Sequence, residues 1–325
     1  MDSPQESPRE RPWLFAVSAV PPLLWLAGLF FAPLLIIWGY SFGEKSGLID
    51  IEVTWTLDNY IRALDPIYFQ IFTRSLAYAL ATTALCLAIG FPVAMVIAFS
   101  DPRWRPFLLF LIVLPFWTNL LIRTYALVRI LGNKGTVNTG ITWLWERVSV
   151  AMEILGLPAL EPFTPLPMLF NSFAVVFGLT YVALPFMILP LYASLERLNR
   201  QHMEASLDLG AGQWRTFFLV VVPLTSTGIF SGLVITFIPT LGSFLTPDIL
   251  GGPDSSMIAT VIARQFGSAN HWPFGSAMAY ILVYATFFLL ALNAMFVIRR
   301  QRARDTAGQE AVAPAAPAAA KETAS

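Results

Sequence analysis

A catalytic serine pattern occurs near the end of the first apolar stretch of the chain. Gly39, Ser41 and Gly43 fit the spacing G-x-S-x-G, in which a serine nucleophile is exposed on a sharp turn between a strand and a helix. With His271 as its base, Ser41 would make the chain an intramembrane hydrolase. Here the pattern follows a long apolar segment and not a strand, so small residues at a helix end are a sufficient explanation. We therefore expect no catalytic residue at this position.

The other reactive side chains exclude further kinds of site. A P-loop needs Gly-Lys followed by Ser or Thr, whereas the lysines here follow Glu, Asn and Ala. His202 and His271 are expected on opposite faces of a membrane, so they cannot share a metal. The single cysteine, Cys86, cannot form an internal disulfide. We expect no metal and no cofactor bound by this chain.

The composition is that of a membrane protein. Of 325 residues, 56% are hydrophobic and only 12% are charged, and the mean hydropathy is +0.65. A soluble fold of this size would need more polar surface, and a disordered chain could not carry 14% aromatic residues. The net charge is zero, which gives no indication of nucleic-acid binding. The sequence predicts an all-α, multi-pass membrane protein.

Six stretches are long and apolar enough to cross a bilayer, which takes about 20 residues of helix. The predicted spans are residues 14–40, 72–99, 107–131, 168–193, 216–240 and 276–298. They divide the chain into an N-terminal segment (1–12), a transmembrane domain (13–300) and a low-complexity tail (301–325) that is expected to be disordered. The first span is too long for a cleaved signal peptide, so we expect it to remain as a helix.

The positions of Arg and Lys predict the orientation, because loops that keep positive charge stay in the cytoplasm. Arginines occur in both terminal segments and in the second and fourth loops: Arg9, Arg11, Arg103, Arg105, Arg197, Arg200, Arg215, Arg299, Arg300, Arg302 and Arg304. The first, third and fifth loops are longer and more acidic. Both termini are therefore expected in the cytoplasm.

Prolines and glycines inside the spans indicate bends and close contacts. Pro115 and Pro223 each free a backbone carbonyl that must find another partner in lipid. Gly228 and Gly232 are four residues apart in the fifth span and permit close approach of another helix.

The fourth loop, about residues 197–215, has the most informative spacing. Residues 200–209 can form a short helix, with Asn199 as a possible cap and Gly210 as a left-handed stop. Such a helix could enter a groove of a partner protein, where Glu204 would meet an arginine or a backbone amide. The alternative is a surface loop in which Glu204 pairs with Arg200.

This loop resembles the EAA loop of the permease subunits of binding-protein-dependent (MetI-like, type I) ABC importers. The family pattern is Glu-Ala-Ala, three residues, Gly, nine residues and then Ile-x-Leu-Pro; here Ser206 replaces the second Ala and valines replace Ile and Leu. The resemblance implies an ATPase-docking loop formed by Glu204, Ala205, Ser206, Leu209, Gly210 and Pro223. It also implies a separate cytoplasmic ABC ATPase dimer that hydrolyses ATP with Mg, a second permease that is identical or related, and an extracytoplasmic solute-binding protein. The chain would lie among the lipids of the bacterial inner membrane.

Residues 114–125 and 131–135, together with 246–255 and 271–275, resemble the spermidine/putrescine branch of that family. They imply a polyamine or a similar small organic cargo. Ser243 and Asn270 are neutral where a cationic cargo would favour an acid, so an opine, an amino-acid-like compound or an iron chelate remains an alternative. An ATP-independent carrier or channel is a further alternative.

Aromatic faces can hold an organic cation, and Asn or Thr can hydrogen-bond an amine. The candidate pathway residues are Trp117, Asn119, Arg123, Tyr125, Ser243, Phe244 and Thr246. Arg123 follows Phe107 by sixteen residues, or about 24 Å of straight helix, which predicts a position near the outer interface. There it would be either an anchor or structural ion pair, or a gate of the pathway. The aromatic residues could instead be interfacial anchors.

Overall fold

The computed structural model describes residues 12–47, 50–155, 158, 161–288, 290–291 and 295. The N-terminal segment 1–11 and the tail 301–325 lie outside these ranges. The helices of the described part are α1 Pro12–Tyr40, α2 Asp58–Ala63, α3 Pro66–Phe99, α4 Arg105–Val113, α5 Leu120–Leu131, α6 Thr136–Ile154, α7 Ser172–Glu196, α8 Gln201–Asp208, α9 Gln213–Thr216, α10 Val222–Leu224, α11 Ser226–Leu241, α12 Leu245–Leu250, α13 Ile258–Phe266 and α14 Trp272–Phe288. A two-residue antiparallel ribbon, β1 Glu44–Lys45 with β2 Ile51–Glu52, follows α1.

In the described part, three unbroken helical segments are long and apolar enough to cross a membrane: Val17–Tyr40 in α1, the whole of α3 and the whole of α7. They correspond to the first, second and fourth predicted spans, although α3 begins at Pro66 and α7 at Ser172. Two bent helix pairs correspond to the third and fifth spans. The sixth, predicted at 276–298, corresponds to α14, and its last residues lie mostly outside the described ranges.

The third span is not the single straight helix predicted over 107–131. Helix α4 ends at Val113, a 3₁₀ turn covers Leu114–Trp117, and the axis turns by 93° before Leu120. Pro115 lies in this turn and has no N–H to donate, while Thr118 is extended with ψ 143°. The depth estimated for Arg123 along a straight helix is therefore wrong.

The fifth span, predicted over 216–240, is bent as well. A π-helical turn covers Phe217–Val221, and the axis turns by 70° between Leu224 and Ser226. Pro223 cannot donate to the carbonyl of Leu219 and its ring crowds that carbonyl, which accounts for the widened turn. At the bend, the Val221 carbonyl accepts from both the hydroxyl of Thr225, at 2.7 Å, and its backbone N–H, at 2.9 Å.

The core lies where α3, α7 and α11 pack together. Its fully buried side chains include Met187, Leu191 and Val221. Gly228 and Gly232 bring the backbone of α11 against α7, since a Cβ at Gly228 would overlap Ser194. The predicted close helix contact is thus confirmed; in lipid such packing, and not expulsion of water, holds helices together. This core belongs to a compact unit that ends at Met278, and the described residues of the second unit, from Ala279, are mostly helical.

Candidate functional site

The fourth loop folds as its sequence predicts. Helix α8 covers Gln201–Asp208, and Asn199 Oδ1 accepts a hydrogen bond from the N–H of Gln201 at 3.0 Å. Gly210 has a φ of +85°, a left-handed conformation that L side chains rarely adopt. The N–H of Ala211 donates to the Ser206 carbonyl at 3.1 Å and helps to end the helix. The predicted helix and glycine stop are confirmed; Arg200 occupies the N-cap position, and the predicted cap, Asn199, lies one residue earlier and bonds the first N–H of the helix.

The loop presents a polar helix with apolar side chains around its end. Leu209 is 89% exposed and Trp214 is 77% exposed, and Glu204 and Ala205 also face outwards. The hydroxyls of Ser206 and Thr216 lie 3.0 Å apart and join α8 to α9. Pro223, the last residue of the motif, lies next to the bend that leads into α11. Large apolar side chains exposed next to a charged one are typical of a surface that binds a partner.

Arg200 does not make the ion pair with Glu204 that the alternative interpretation requires. Its guanidinium donates to the carbonyl of Phe99 at 3.1 Å and lies 5.2 Å from the centre of the Phe99 ring. Within the described part of the chain, the Glu204 carboxylate has no ion-pair partner. The loop therefore keeps an acidic group available and is attached to the end of α3.

A second arginine, Arg105, bonds to the ends of neighbouring helices. The sequence did not predict these contacts. Arg105 donates to the Ser100 carbonyl at 3.1 Å and lies 3.5 Å from the carboxylate of Glu196. The hydroxyl of Tyr192 donates to the same carboxylate at 2.7 Å. The ends of α3 and α7 are joined to the start of α4 by these contacts.

Arg123 is 8% exposed and points back to the bend in the third span. Its guanidinium donates to the carbonyls of Pro115 and Thr118, the latter at 2.9 Å, and lies 5.3 Å from the Phe116 ring centre. Among the described residues its partners are thus carbonyls, a hydroxyl and a ring, and not an acid. The side chain gives the Thr118 carbonyl a partner at the break in the helix, and it adds a further donor to the Pro115 carbonyl, which the Thr118 hydroxyl also bonds at 2.7 Å.

The other candidate pathway residues fall into two groups. Trp117, Tyr125 and Phe244 are 75%, 61% and 50% exposed, so their aromatic faces are open. Asn119 is also exposed but caps α5, because its Oδ1 accepts from the N–H of Leu121 at 2.8 Å. Ser243 is half-buried and Thr246 is buried. The structure therefore does not bring all seven predicted residues to one surface.

The third span and the segment after the fifth nevertheless meet at Gly178 of α7. A Cβ at Gly178 would lie 3.0 Å from Thr246 Cγ2 and 3.7 Å from Leu127 Cδ1, and would overlap Leu250. Among the described residues, the Thr246 hydroxyl has no hydrogen-bond partner. Gly178 thus allows α5 and α12 to pack against one point of α7, a contact that sequence spacing alone could not reveal.

Two buried asparagines, which the sequence did not single out, hold the loop after α1 and the segment between α5 and α7. Asn138 donates to the carbonyls of Gly132 and Leu166, both at 3.1 Å, and accepts from the N–H of Leu166 at 2.9 Å. Asn59 donates to the carbonyls of Ser41 at 3.3 Å and Gly43 at 2.8 Å. Both replace missing backbone partners in irregular segments.

Ser41 is not an exposed nucleophile. It is fully buried after the end of α1, its hydroxyl lies 2.6 Å from the Trp38 carbonyl, and the Tyr60 hydroxyl lies 2.7 Å away. These partners engage the hydroxyl that catalysis would need free. The G-x-S-x-G spacing here ends a helix, as the sequence suggested.

His271, the proposed base of that hydrolase, caps α14. Its Nδ1 accepts from the N–H of Phe274 at 3.3 Å. Burial lowers the pKa of His271, and the positive charges of Arg62 and Lys45 lower it further. Within the described ranges, no group of three His, Cys, Asp or Glu side chains could hold a metal ion.

Comparison with known proteins identifies relatives over most of the chain. A family model described as binding-protein-dependent transport system inner membrane component matches residues 87–304. The chain is 39% identical over 266 residues to the spermidine/putrescine transport system permease protein PotB of Escherichia coli K12, which covers 82% of this chain and 91% of that protein. It is 32% identical over 289 residues to the inner membrane ABC transporter permease protein YdcU of the same organism, covering 86% and 87%.

The fold agrees with these matches. One chain of a bacterial alginate ABC transporter superposes on this chain with a TM-score of 0.62 at 16% sequence identity. The match covers 87% of this chain and 93% of that one. That transporter was solved in complex with a periplasmic protein bound to an alginate pentasaccharide. The segment matched by the family model contains the α8 loop, the π-helical turn and the glycine contacts of α11. By its sequence and its fold, the chain belongs to the binding-protein-dependent transport system inner membrane components, a family of inner-membrane permeases and not of enzymes.

Proposed function

We propose that this chain is one permease subunit of an ATP-driven importer that carries a polyamine, or a similar small organic solute, across the bacterial inner membrane. The observation that carries the proposal is the α8 loop, in which Gly210 at φ +85° ends an exposed helix and Pro223 marks the bend into α11. The chain itself has no P-loop, so the energy must come from another subunit.

A cytoplasmic ABC ATPase dimer docks on this loop and hydrolyses ATP with Mg. Leu209 and Trp214 enter a groove of the ATPase, and Glu204 pairs there with an arginine or a backbone amide. Burial of a large apolar side chain such as leucine stabilises a complex by about 1.5–3 kcal/mol, so burial of Leu209 and Trp214 can hold the loop in place. Ala205 and Ser206 keep that face of the helix narrow.

ATP-driven closure of the ATPases then moves α8, and α8 moves the permease. The motion has two routes: through the hydroxyl contact of Ser206 with Thr216 towards α11, and through Arg200 to the end of α3. Because α3, α7 and α11 form one packed core, these displacements switch the pathway between inward-open and outward-open states.

The topology of the proposal is six spans with both termini in the cytoplasm. Three unbroken helices, two bent pairs and α14 supply the spans, and the arginines near the chain ends and in the second and fourth loops supply the orientation. A second permease, identical or related, completes the pathway, and an extracytoplasmic solute-binding protein delivers the cargo. The periplasmic protein bound to the alginate transporter supports such a partner.

The cargo assignment draws on PotB, whose name states spermidine and putrescine. The exposed rings of Trp117, Tyr125 and Phe244 suit an alkylammonium chain, because aromatic faces attract cations. Arg123 stabilises the bend of the third span and does not contact the cargo. Ser243 and Asn270 are neutral, which favours an opine, an amino-acid-like compound or an iron chelate as the second candidate cargo.

Transport by the reconstituted complex tests the proposal. The permease pair, the ATPase and the binding protein of the system are placed in proteoliposomes, and uptake of labelled spermidine and putrescine is measured with ATP enclosed. Uptake should stop when the P-loop lysine of the ATPase is replaced. Uptake that continues with that variant would support an ATP-independent carrier. If polyamines are not taken up and do not compete with the uptake of the alternative cargos, the second candidate cargo is favoured instead.

Cysteine labelling tests the topology. Cys86 is buried and is the only cysteine, so Cys86→Ser gives a background without thiols. In that background, Thr139→Cys on α6 should react with an impermeant maleimide added outside spheroplasts. Gln201→Cys on α8 should react only after the membrane is opened. The reverse pattern would contradict the proposed orientation.

A further inference from the structure

A cavity of about 590 Å³ lies between the last turns of α7 and the first turns of α11, beside the docking loop. This volume is within the range of about 300–1,000 Å³ that is common for small-molecule sites. Hydroxyls of Ser194, Thr227 and Ser231 line it, together with Arg197 and His202. Arg197 and His202 belong to the fourth loop, but none of these five residues is among those assigned to ATPase docking or to the candidate pathway.

The hydroxyls of this cavity differ from most others on the apolar helices. Thr180, Thr225 and Thr240 each donate to a carbonyl one turn earlier in the chain, at 2.6–2.7 Å. In the described part of the chain, the hydroxyls of Ser194, Thr227 and Ser231 have no such partner. They remain available to donate to a ligand in the cavity.

Arg197 also differs from the neighbouring arginines. Arg200 and Arg105 are bound to carbonyls at the end of α3. The guanidinium of Arg197 has no hydrogen-bond or ion-pair partner among the described residues. None of the described residues that line the cavity is acidic, so the cavity combines a permanent positive charge with several donors. That set of groups favours a multivalent oxyanion such as a phosphate group.

The position of the cavity favours an amphipathic ligand. Ser194 lies near the end of α7, a segment long and apolar enough to span a membrane, so the cavity lies at a membrane–water boundary. Leu224, 53% exposed, and Pro190 form an apolar part of its wall. The 70° bend carries Leu224 away from the axis of α11, while Gly228 keeps α11 against α7. The cavity thus has a basic end near the loop, and apolar side chains and hydroxyls together line the rest of its wall.

We propose that this cavity binds the phosphate of an anionic phospholipid of the cytoplasmic leaflet, with the acyl chains along α7 and α11. The leaflet rests on the orientation in the proposed function. Basic pockets between helices on the cytoplasmic side are suited to such headgroups. A cationic cargo is excluded from this cavity, because Arg197 would repel its ammonium groups. Since Arg197 and His202 flank the start of α8, the bound lipid also supports the docking loop.

Native mass spectrometry of the intact complex tests the site. The complex is placed in nanodiscs of phosphatidylcholine with about one third phosphatidylglycerol, released, and scored for retained phosphatidylglycerol. We expect Arg197→Gln to lower retention at least fivefold. Arg215→Gln is the matched control: it removes the same charge from the same loop but lies outside the cavity, and retention should be unchanged. Equal losses in both variants would show general surface attraction and overturn the proposal.

A second variant covers the case in which Arg197→Gln does not fold. Thr227→Phe fills the cavity from its exposed wall and leaves every charge in place, so it should also lower retention. Full retention in a folded Thr227→Phe complex would place the lipid elsewhere and overturn the proposal.

Inorganic phosphate distinguishes a lipid from a free phosphate compound. Millimolar phosphate added to nanodiscs of mixed lipid should not displace phosphatidylglycerol, because the acyl chains hold the lipid. Displacement that depends on Arg197 would show a site for soluble phosphate and overturn the lipid assignment. Lipid retention is measured without transport, so a complex that retains phosphatidylglycerol but imports no polyamine would contradict only the proposed function.

Discussion

The guanidinium of Arg200 donates a hydrogen bond to the Phe99 carbonyl at 3.1 Å and lies 5.2 Å from the centre of the Phe99 ring. Arg200 directly precedes α8, and Phe99 is the last residue of α3. A residue next to the docking helix is thus bound to a different span from the one it follows in sequence. A force on α8 therefore reaches α3 through one side chain, without passing through α7.

Replacing Arg200 should weaken the coupling of ATP hydrolysis to uptake. Arg200→Gln loses both the charged hydrogen bond and the ring contact, which at an exposed site together are worth about 1 kcal/mol. We expect roughly a three- to tenfold fall in cargo imported per ATP hydrolysed. Both rates are measured in the same proteoliposomes. Arg215→Gln is the control, and an unchanged ratio in Arg200→Gln would show that the contact transmits no motion.

Gly210→Ala should disturb the docking loop without any steric clash. No atom lies within 4 Å of a Cβ built at Gly210, so the change acts only through its φ of +85°, at a cost of about 1–2 kcal/mol. We expect weaker co-purification of the ATPase and lower uptake, with normal insertion.

Gly212→Ala is the matched control, because Gly212 also has open space but an ordinary φ of −70°. It should leave ATPase binding and uptake unchanged. Equal effects of both alanines would show that the left-handed turn is not what positions the loop.

Gly228→Ala should destabilise the packing of α11 on α7. Its Cβ would overlap Ser194 and approach the Pro190 backbone at 2.8 Å, and overpacking of this kind costs about 1–3 kcal/mol. The melting temperature in detergent, followed by tryptophan fluorescence, should fall. Gly28→Ala in α1, where nothing lies within 4 Å, should not lower it. An unchanged melting temperature in Gly228→Ala would mean that the helices can separate at no cost.

The parts of the fold that depend on local chemistry could be predicted from the sequence. Apolar length identified α1, α3 and α7, because a membrane span needs little more than that. Asn199 and Gly210 predicted both ends of α8, since cap and left-handed glycine are local preferences. The glycine pair in α11 predicted close packing for the same reason.

Side-chain contacts between distant segments could not be predicted. Arg200 has Glu204 one helical turn away in sequence, yet it binds Phe99, about a hundred residues earlier. Pro115 indicated a bend but not its angle, and the 93° turn changed the surroundings of Arg123. The position of Thr246 at the end of a span suggested an exposed side chain, but Thr246 is buried where α12 packs near α5 and α7. In each case tertiary contacts replaced the sequence neighbours.

Variants at Arg123 distinguish a structural side chain from a gate of the pathway. Arg123→Gln and Arg123→Lys cannot make all of its bonds to the Pro115 and Thr118 carbonyls, and the loss of a hydrogen bond from a charged group costs about 1.5–3 kcal/mol. We expect lower melting temperatures and lower yields of folded protein. The KM for cargo, measured on the folded protein that is recovered, should be unchanged.

Arg129→Gln is the control, because Arg129 is an exposed arginine of the same helix, and it should affect neither property. A changed KM for cargo in Arg123→Lys at normal stability would instead assign Arg123 to the pathway.

His271 should make stability depend on pH. Burial, Arg62 and Lys45 lower the pKa of His271 in the folded protein below its ordinary value of 6.5. Below pH 6.5, His271 is protonated in the unfolded chain but stays neutral in the folded protein until a lower pH. The stability contributed by neutral His271 is therefore complete above pH 6.5 and is lost as the pH falls.

His271→Asn keeps an acceptor for the Phe274 N–H and removes the titration. The difference in melting temperature between about pH 7.5 and about pH 5.5 should therefore be smaller in this variant than in the wild type. Carboxylates titrate equally in both proteins, so the comparison isolates the imidazole. Parallel pH curves would show that protonated His271 is accommodated in the folded state, and that the cap, not the charge, accounts for this residue.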